Sequence, residues 1–278
     1  MDVSVVTPSL DMLGYLKRCH ASVADQHGVG CEHVVMDGGS RDGTVGWLAQ
    51  NPTVVAHSGR DRGMYDAVNK GFALARGEII AHLNCDEQLL PGALRFVKKA
   101  FDDDPSVDIL FGDLLTIRPD GSLIAFRKTV KTIEPVLLTA PLYIATAATF
   151  YRRRVIDSGA LYDESYKDVA DLDTILRLSR HGYRFRHLPR YLAAFTMTGK
   201  NRSMAAGVRQ EIARLREAAP WWVTRARIGW RAAGWVAKLA HGCYFQAGPI
   251  AYAVYADDAA LRRTDFVVAN PSFRWRTG

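Results

Sequence analysis

The chain has 278 residues, of which 48% are hydrophobic and 23% charged, values typical of a globular protein that buries a core. This composition excludes collagen-like, coiled-coil and wholly disordered chains. No apolar run approaches the ~20 residues that a membrane-crossing helix needs. The N-terminus shows no signal-peptide pattern, and the four cysteines show no CxxC spacing, as expected in a reducing compartment. We therefore predict a cytoplasmic protein.

The positive charge is concentrated at one end of the chain. Residues 1–200 contain 24 Lys and Arg against 24 Asp and Glu, whereas residues 201–278 contain 12 against 5. The whole net charge of +7 therefore falls in the last 78 residues. This split divides the chain into a neutral part, residues 1–200, and a basic, Trp-rich extension, residues 201–278.

Strands and helices alternate through the first hundred residues. Short β-branched runs predict strands at 3–7, 32–36, 53–57 and 78–83. Helical spacing of apolar residues predicts helices from residue 11, at 62–76 and at 91–101. This alternation indicates an α/β fold, with a Rossmann-like, mostly parallel central sheet flanked by helices.

The pattern changes after residue 105. The turn at 119–121 joins a predicted hairpin, 108–118 with 123–129. A strand at 146–151, a helix at 170–181 and short strands at 184–187 and 191–197 follow. From Asn201 onward the pattern predicts helices throughout, with a break at Gly248-Pro249. His82, inside a strand, is interpreted as a hydrogen-bonded core residue.

Polar clusters follow three of the predicted parallel strands: Thr7-Pro8-Ser9, Asp37-Gly38-Gly39-Ser40 and Asn84-Cys85-Asp86-Glu87. Open α/β sheets bind ligands at this edge. The oxygen ligands of the third cluster suit Mg²⁺ or Mn²⁺, although spacing alone favours a turn that caps the next helix. The Gly pair of the second allows close approach to a ligand, although an Asx turn alone also accounts for it.

Asp171 and Asp173 lie at the predicted start of a helix. Acidic residues there complement the helix dipole, and a carboxylate near the sheet edge is also suited to general-base catalysis. Both interpretations are open on spacing alone. No P-loop, GxGxxG, HExxH or Ser–His–Asp arrangement is present, so nucleotide hydrolysis by a P-loop, hydride transfer and zinc chemistry lack support.

Taken together, these segments resemble family 2 inverting glycosyltransferases of the A-type glycosyltransferase fold. The resemblance extends over about residues 1–203. The matching segments are VSVVTPS (3–9), HVVMDGGSRDGT (33–44), DRGMYDAVNKG (61–71), GEIIAHLNCDE (77–87), FGD (111–113), ADLD (170–173), LRL (176–178), GYRF (182–185) and LPR (188–190).

The resemblance implies transfer of a sugar from a nucleotide-sugar donor to an acceptor hydroxyl. It implies that Asp171 is the catalytic base and that Asp86 holds a divalent metal, Mn²⁺ or Mg²⁺. Asp173 then has a structural role. The residues implied in nucleotide-sugar binding are Thr7, Pro8, Ser9, Asp37, Gly38, Asp61, Asn84, Cys85 and Asp86.

The sequence departs from the family pattern at three places. Asn84 stands in the first position of the DxD metal motif, and Glu87 stands where a further Asp is common. The stretch 191–203 lacks the His that many relatives carry on the metal side. Thr198, Lys200 or Arg202 is the candidate to contact the diphosphate instead.

These departures keep two alternatives open. One is a degenerate, non-catalytic nucleotide- or sugar-binding protein associated with a membrane. The other is a sugar-phosphate nucleotidyltransferase, which the absence of a Gly-rich basic loop after the first strand disfavours. The basic tail carries no nucleic-acid-binding signature, so we predict no nucleic-acid partner.

The resemblance also implies a glycan or lipid-linked acceptor. Residues 220–241 place Trp222, Trp230 and Ala237 near one helical face, with cations mostly elsewhere. Such a face lies in a membrane interface or packs against the catalytic domain. The first alternative predicts peripheral contact at the inner face of the plasma membrane.

Overall fold

The computed structural model describes residues 1–131, 133–139, 144–199, 201 and 207–274. A nine-stranded sheet forms its centre, in the order β3-β2-β1-β4-β8-β6-β9-β5, with β7 paired to β6. The strands are β1 Val3–Ser9, β2 Cys31–Asp37, β3 Val54–Ser58, β4 Ile79–His82, β5 Glu87–Leu89, β6 Ile109–Ile117, β7 Leu123–Arg127, β8 Thr149–Arg152 and β9 Phe185–Thr196.

Helices cover both faces of this sheet. Those before residue 200 are α1 Leu13–Ala24, α2 Thr44–Ala49, α3 Met64–Leu74, α4 Ala93–Asp103, α5 Glu134–Thr139, α6 Arg153–Asp157 and α7 Ala170–Arg180. Alternation along β1 divides the core: Val6 packs with α3 on one face, and Val3 and Val5 pack with α4 on the other. The predicted α/β fold with a central sheet between helices is confirmed.

The parallel part of the sheet holds the predicted site. Strands β1, β2, β3 and β4 are all parallel, so their carboxyl ends meet at one edge. Beyond β4, the antiparallel strand β8 joins β4 to β6, and β9 runs parallel to β6. The short strand β5, which the sequence analysis left in a loop, pairs antiparallel with β9.

Two predictions of strand boundaries were wrong. Residues 146–148 form a 3-10 turn before β8. The two short strands expected at 184–187 and 191–197 are one strand, β9. Its register against β6 jumps from Leu188 to Tyr191, because Pro189 has no N–H to donate and bulges out with its neighbour.

In the described part of the C-terminal region, the last helix ends at residue 240. Its helices are α8 Gly207–Glu217, α9 Trp221–Arg225 and α10 Arg227–Ala240. The prediction of helices to the end of the chain was wrong, because β10 Ile250–Tyr255 and β11 Arg263–Val268 form an antiparallel hairpin. Large residues alternate with alanine in Ile250-Ala-Tyr-Ala-Val254, which is the period of a strand rather than of a helix.

Side-chain hydrogen bonds hold the C-terminal hairpin against β5. The side-chain amide of Gln88 donates to the carbonyl of Tyr255 (2.9 Å) and accepts from its N–H (2.7 Å). Arg263 pairs with Asp25 through Nε and Nη2 and also donates to the Leu89 carbonyl. The hairpin therefore fixes the strand that directly follows Asp86.

The C-terminal helices share the core of the sheet. Leu215, Val223 and Cys243 are buried in the same apolar cluster as Val6 and Phe111. Among the described residues, no helix has the length and apolarity to span a membrane.

Candidate active site

The polar loops predicted at the sheet edge do come together. The Gly38 N–H donates to the Ser9 carbonyl (2.9 Å). The Asp11 N–H donates to Ser40 Oγ (2.8 Å), and the Arg41 N–H donates to Asp11 Oδ1 (2.7 Å). The loops after β1 and β2 thus form one hydrogen-bonded rim.

Asp37 closes the turn after β2. Its carboxylate accepts from the N–H groups of Gly39 and Ser40 and from the Ser58 hydroxyl. This is the Asx-type turn considered from the sequence. The turn holds the Gly38 backbone at the rim. The role of Asp37 in binding the nucleotide-sugar remains a prediction.

Asp61 lies directly against Gly38. Its Oδ1 accepts from the Gly63 N–H (2.8 Å), and a Cβ built on Gly38 would lie 2.8 Å from Asp61 Oδ2. Glycine at position 38 is therefore what allows this carboxylate to approach the turn. The structure brings together two residues that the sequence analysis assigned to the nucleotide.

The end of β1 is deeply buried. Thr7 Oγ1 lies 2.9 Å from His33 Nε2 and is fully buried beneath the rim. Pro8 is also buried. Ser9 Oγ is buried with no partner among the described residues other than the Cys85 thiol beside it, so its hydroxyl has unused hydrogen-bonding capacity.

The loop after β4 is ordered by its own polar groups. The Asn84 N–H donates to Glu87 Oε2 (2.8 Å), and Asn84 Oδ1 lies 3.1 Å from His82 Nε2. His82 is buried and also bonds the Tyr162 hydroxyl, as predicted for a satisfied core histidine. Cys85 is buried with its Sγ 3.6 Å from Met12 Sδ.

Asp86 and Glu87 place two carboxyl groups side by side after β4, the first half-buried and the second buried. Burial raises the pKa of Asp86, and burial together with the charge of Asp86 raises the pKa of Glu87. In the part of the chain that the structure describes, no cation lowers either pKa. Uncompensated buried carboxylates are stabilised by a bound cation.

These oxygen ligands suit a hard divalent cation whose remaining coordination positions are filled by water and substrate. The described residues contain no cluster of three His, Cys, Asp or Glu side chains able to enclose a metal. Mg²⁺ commonly binds through one or two carboxylates, water and substrate phosphates. Asp86 is therefore the residue suited to hold the metal.

Asn201 is a site residue that the sequence analysis missed. Its Nδ2 donates to Asp86 Oδ2 (3.0 Å) and to the Thr196 carbonyl (2.9 Å). The Thr198 N–H donates to Asn201 Oδ1. The departure from the family pattern at 191–203 pointed to this stretch, but Thr198, Lys200 and Arg202 were named instead; Lys200 and Arg202 lie outside the described residues.

The structure separates the two carboxylates at the start of α7. Asp171 Oδ2 accepts from Thr146 Oγ1 (2.8 Å), and its Oδ1 accepts from the Tyr65 hydroxyl (3.4 Å). Asp173 is paired with Arg177 one turn along the helix (2.7 Å). Asp173 thus stabilises the helix, and Asp171 faces the sheet edge.

Asp171 is electrostatically linked to the loop after β4. Burial raises the pKa of Asp171, and the hydrogen bonds from Thr146 and Tyr65 lower it. Burial is the larger effect. Its charge in turn contributes to the raised pKa of Glu87. A half-buried carboxylate with a raised pKa, close to a loop that carries further carboxyl groups, is the combination expected of a catalytic base.

Thr146 and Tyr65 are further site residues that the sequence did not reveal. Tyr65 lies in the first turn of α3, just after the Asp61 turn, and Thr146 begins the 3-10 turn before β8. Both are distant from Asp171 in sequence, so no local spacing pattern links them to it.

Comparison with known proteins identifies the family. The family model described as Glycosyl transferase family 2 matches residues 4–158, more than half of the chain. The chain belongs to this family.

Curated relatives agree with this assignment. The PGL/p-HBAD biosynthesis glycosyltransferase of Mycobacterium bovis is 30% identical over 185 residues, covering 63% of this chain and 68% of that protein. Chondroitin synthase of Pasteurella multocida is 29% identical over 209 residues, covering 73% of this chain. This chain spans only 21% of that synthase.

Solved structures share the fold at low sequence identity. S. aureus TarS 1-349 in complex with UDP-GlcNAc has a TM-score of 0.61 at 17% identity, covering 86% of this chain and 73% of that one. The Pyrobaculum calidifontis mannosyltransferase PcManGT, in complex with GDP-Man and Mn²⁺, has a TM-score of 0.60 at 16% identity, covering 88% and 76%. These neighbours show the A-type glycosyltransferase fold.

Proposed function

We propose that the chain transfers a sugar from a nucleotide-sugar donor to an acceptor hydroxyl, with inversion at the anomeric carbon and with residues 1–200 as the catalytic domain. The observation that carries this proposal is the position of Asp171. Its half-buried carboxylate accepts hydrogen bonds from Thr146 and Tyr65, and its charge acts on Glu87 in the loop after β4.

The rim of the sheet holds the donor in this account. Ser9, Gly38 and Asp61 meet at one edge, where open α/β sheets bind nucleotides. The complexes of the two structural neighbours with UDP-GlcNAc and with GDP-Man support a nucleotide-sugar ligand. Asp37 shapes this rim through its turn, and Thr7 and Pro8 form its buried floor.

Asp86 holds the divalent metal in this proposal, with Asn84 and Cys85 shaping the loop around it. When bound there, a divalent cation supplies charge neutralisation for the leaving diphosphate. The Mn²⁺ in the complex of the mannosyltransferase PcManGT supports a metal of this class. Asn201 fixes the Asp86 carboxylate through its 3.0 Å hydrogen bond.

Asp171 acts as the base in the proposed displacement. Its carboxylate accepts the proton of the acceptor hydroxyl as the hydroxyl oxygen forms a bond to the anomeric carbon. The bond from that carbon to the diphosphate oxygen breaks, and the nucleoside diphosphate leaves with the electron pair. Attack from the face opposite the diphosphate inverts the anomeric centre.

The acceptor class is proposed from the relatives. A polysaccharide synthase and a protein named for PGL/p-HBAD biosynthesis are both similar to this chain. We therefore propose a growing glycan or a lipid-linked glycan as the acceptor.

A donor panel tests the binding part of the proposal. UDP-, dTDP- and GDP-sugars are screened for thermal stabilisation with and without Mn²⁺, because a ligand that binds only the folded state raises Tm. At 100 times Kd the stabilisation is about 2.7 kcal/mol, a shift of several degrees. We expect one nucleotide class to give a Mn²⁺-dependent shift that Asp86→Ala abolishes and Asp173→Asn keeps. A flat panel contradicts the proposed donor site.

A further inference from the structure

Helix α10 is apolar on two opposite sides. One side faces the protein: Trp230 and Ala237 pack against the core, and Gly234 is buried. This is the face that the sequence analysis identified, and it packs against the protein. The other side carries four large apolar residues, which we call the outer apolar face: Ile228, Trp235, Val236 and Leu239.

The outer apolar face is strongly exposed. Ile228 is 82% exposed, Trp235 64%, Val236 65% and Leu239 57%. Their spacing of seven, eight and eleven residues from Ile228 aligns them along one side of a helix. Apolar residues grouped in this way on a surface, rather than scattered singly, mark an interaction site.

Cations border this face, and acidic residues are absent nearby in the sequence. Residues 218–256 contain four Lys and Arg and no Asp or Glu. Arg227 and Arg231, spaced i and i+4, form an exposed row beside the outer apolar face. The positive charges of Arg227 and Arg231 also act on Arg216. Its pKa is lowered chiefly by burial and further by these two guanidinium groups. The surface is therefore complementary to a negatively charged partner.

A bilayer fits this surface better than a second copy of the chain. A two-fold symmetric contact through α10 would bring the arginines of both copies into one interface, and residues 218–256 supply no acidic side chain to pair with them. With 14 residues, α10 is about 21 Å long, shorter than the ~30 Å hydrocarbon core. An amphipathic helix with a Trp-containing face and a basic border lies in the membrane plane.

We propose that the outer apolar face of α10 inserts into the interfacial layer of a bilayer that contains anionic lipid, with Arg227 and Arg231 at the headgroups. This binding is independent of the proposed reaction. Helix α10 packs on α5, which packs on α7, the helix that carries Asp171. Docking through α10 therefore places the catalytic helix two helices away from the membrane surface.

Sedimentation of the full chain with vesicles tests the proposal. We expect the protein to sediment with vesicles of phosphatidylcholine and phosphatidylglycerol, less so as salt rises, and not with phosphatidylcholine alone. Trp235→Glu combined with Leu239→Glu should weaken binding at least about tenfold. Val267→Glu is the matched control, because Val267 is 72% exposed on β11, and it should bind as the parent does.

A second pair of variants tests the charges separately. Arg227→Glu with Arg231→Glu should reduce binding to anionic vesicles, and Arg262→Glu, an exposed arginine outside α10, should reduce it much less. Circular dichroism verifies that every variant is folded.

Three results would overturn the proposal. The first is a parent protein that stays in the supernatant with anionic vesicles, and the second is an equal loss of binding in Val267→Glu. The third is a parent dimer without vesicle binding that Trp235→Glu with Leu239→Glu makes monomeric, since a second copy would then cover the face.

Discussion

Asn201 donates a 3.0 Å hydrogen bond to the Asp86 carboxylate across 115 residues of sequence. The same amide is tied to the end of β9 through Thr196 and Thr198. Asn201 is 8% exposed, so its contacts are protected from water. This hydrogen bond orients the Asp86 carboxylate, which we propose holds the metal.

Asn201→Ala should therefore weaken metal-dependent donor binding. Loss of a partner that orients a metal-ligating group costs about 10- to 100-fold in affinity. Titration of Mn²⁺ in the presence of the donor, followed by thermal shift, measures this. Asn51→Ala is the control, since the Asn51 amide donates to the Trp47 carbonyl at the end of α2, outside the loop that carries Asp86. Unchanged Mn²⁺ affinity in Asn201→Ala would show that Asp86 needs no such support.

Gly38→Ala should weaken donor binding by about tenfold, the effect of losing one hydrogen bond to a charged group. The added Cβ would meet Asp61 Oδ2 at 2.8 Å, so the carboxylate must move away from the rim. Gly46→Ala is the matched control, because a Cβ there has nothing within 4 Å. Isothermal titration with the donor compares the two variants, and equal affinities would exclude Asp61 from the nucleotide site.

The pH profile of turnover should report Asp171. A base must be ionised, and burial raises the pKa of this carboxyl, so activity should fall on the acid side at a higher pH than for an ordinary Asp. Thr146→Val removes a hydrogen bond that lowers this pKa and should move the acid limb to higher pH. If the acid limb of Thr146→Val lies at the same pH as that of the parent, a group other than Asp171 titrates there.

The free energy of unfolding should fall in acid because of His33. Burial, and then the neighbouring His20, lowers its pKa from 6.5 to about 3. Between these values the unfolded chain binds the proton and the folded chain does not, so stability is lost as pH falls from about 6.5.

The slope is about 1.4 kcal/mol for each pH unit per proton. Urea unfolding at several pH values should show a flatter dependence in His33→Gln. Exposed His57→Gln should leave the slope as it is, and an unchanged slope in His33→Gln would contradict this assignment.

Arg263→Leu should destabilise the fold by about 2–4 kcal/mol, because it removes the guanidinium group that pairs with Asp25 and leaves this largely buried carboxylate with the Tyr255 hydroxyl as donor. The two side chains are 14% and 26% exposed. Denaturant unfolding measures the loss, and Arg262→Leu, at an exposed neighbouring position, should cost little. A small loss in Arg263→Leu would mean that the hairpin is held by apolar packing alone.

The parallel half of the sheet was predictable because its signals are local. Each strand from β1 to β4 is a short apolar run, and each ends in polar residues that the parallel topology must bring to one edge. The meeting of Ser9 and Gly38 follows from that rule, whereas Asp61 was assigned to the nucleotide by resemblance to a family. The positions of Asp86 and Asp171 came from resemblance to a family, since spacing alone left two interpretations open.

The rest depended on contacts between distant parts of the chain. Nothing in the local sequence links Asn201 to Asp86 or Thr146 to Asp171. The C-terminal hairpin was mistaken for helix because alanines separate its large residues, and alanine is also the best helix former. Tertiary contacts decide such segments: Tyr252 and Val254 are buried against the sheet with Leu115 and Phe126.

Turnover of the donor by Asp171→Asn tests the central claim most directly. Release of nucleoside diphosphate is measured with the stabilising donor, Mn²⁺ and a panel of sugar acceptors, for the parent, Asp171→Asn and Asp173→Asn. We expect Asp171→Asn to keep donor-induced stabilisation but to lose turnover by a factor of at least about 100, whereas Asp173→Asn should keep both. Turnover at the parent rate in Asp171→Asn, or a parent that binds donor without turning it over, would contradict this claim.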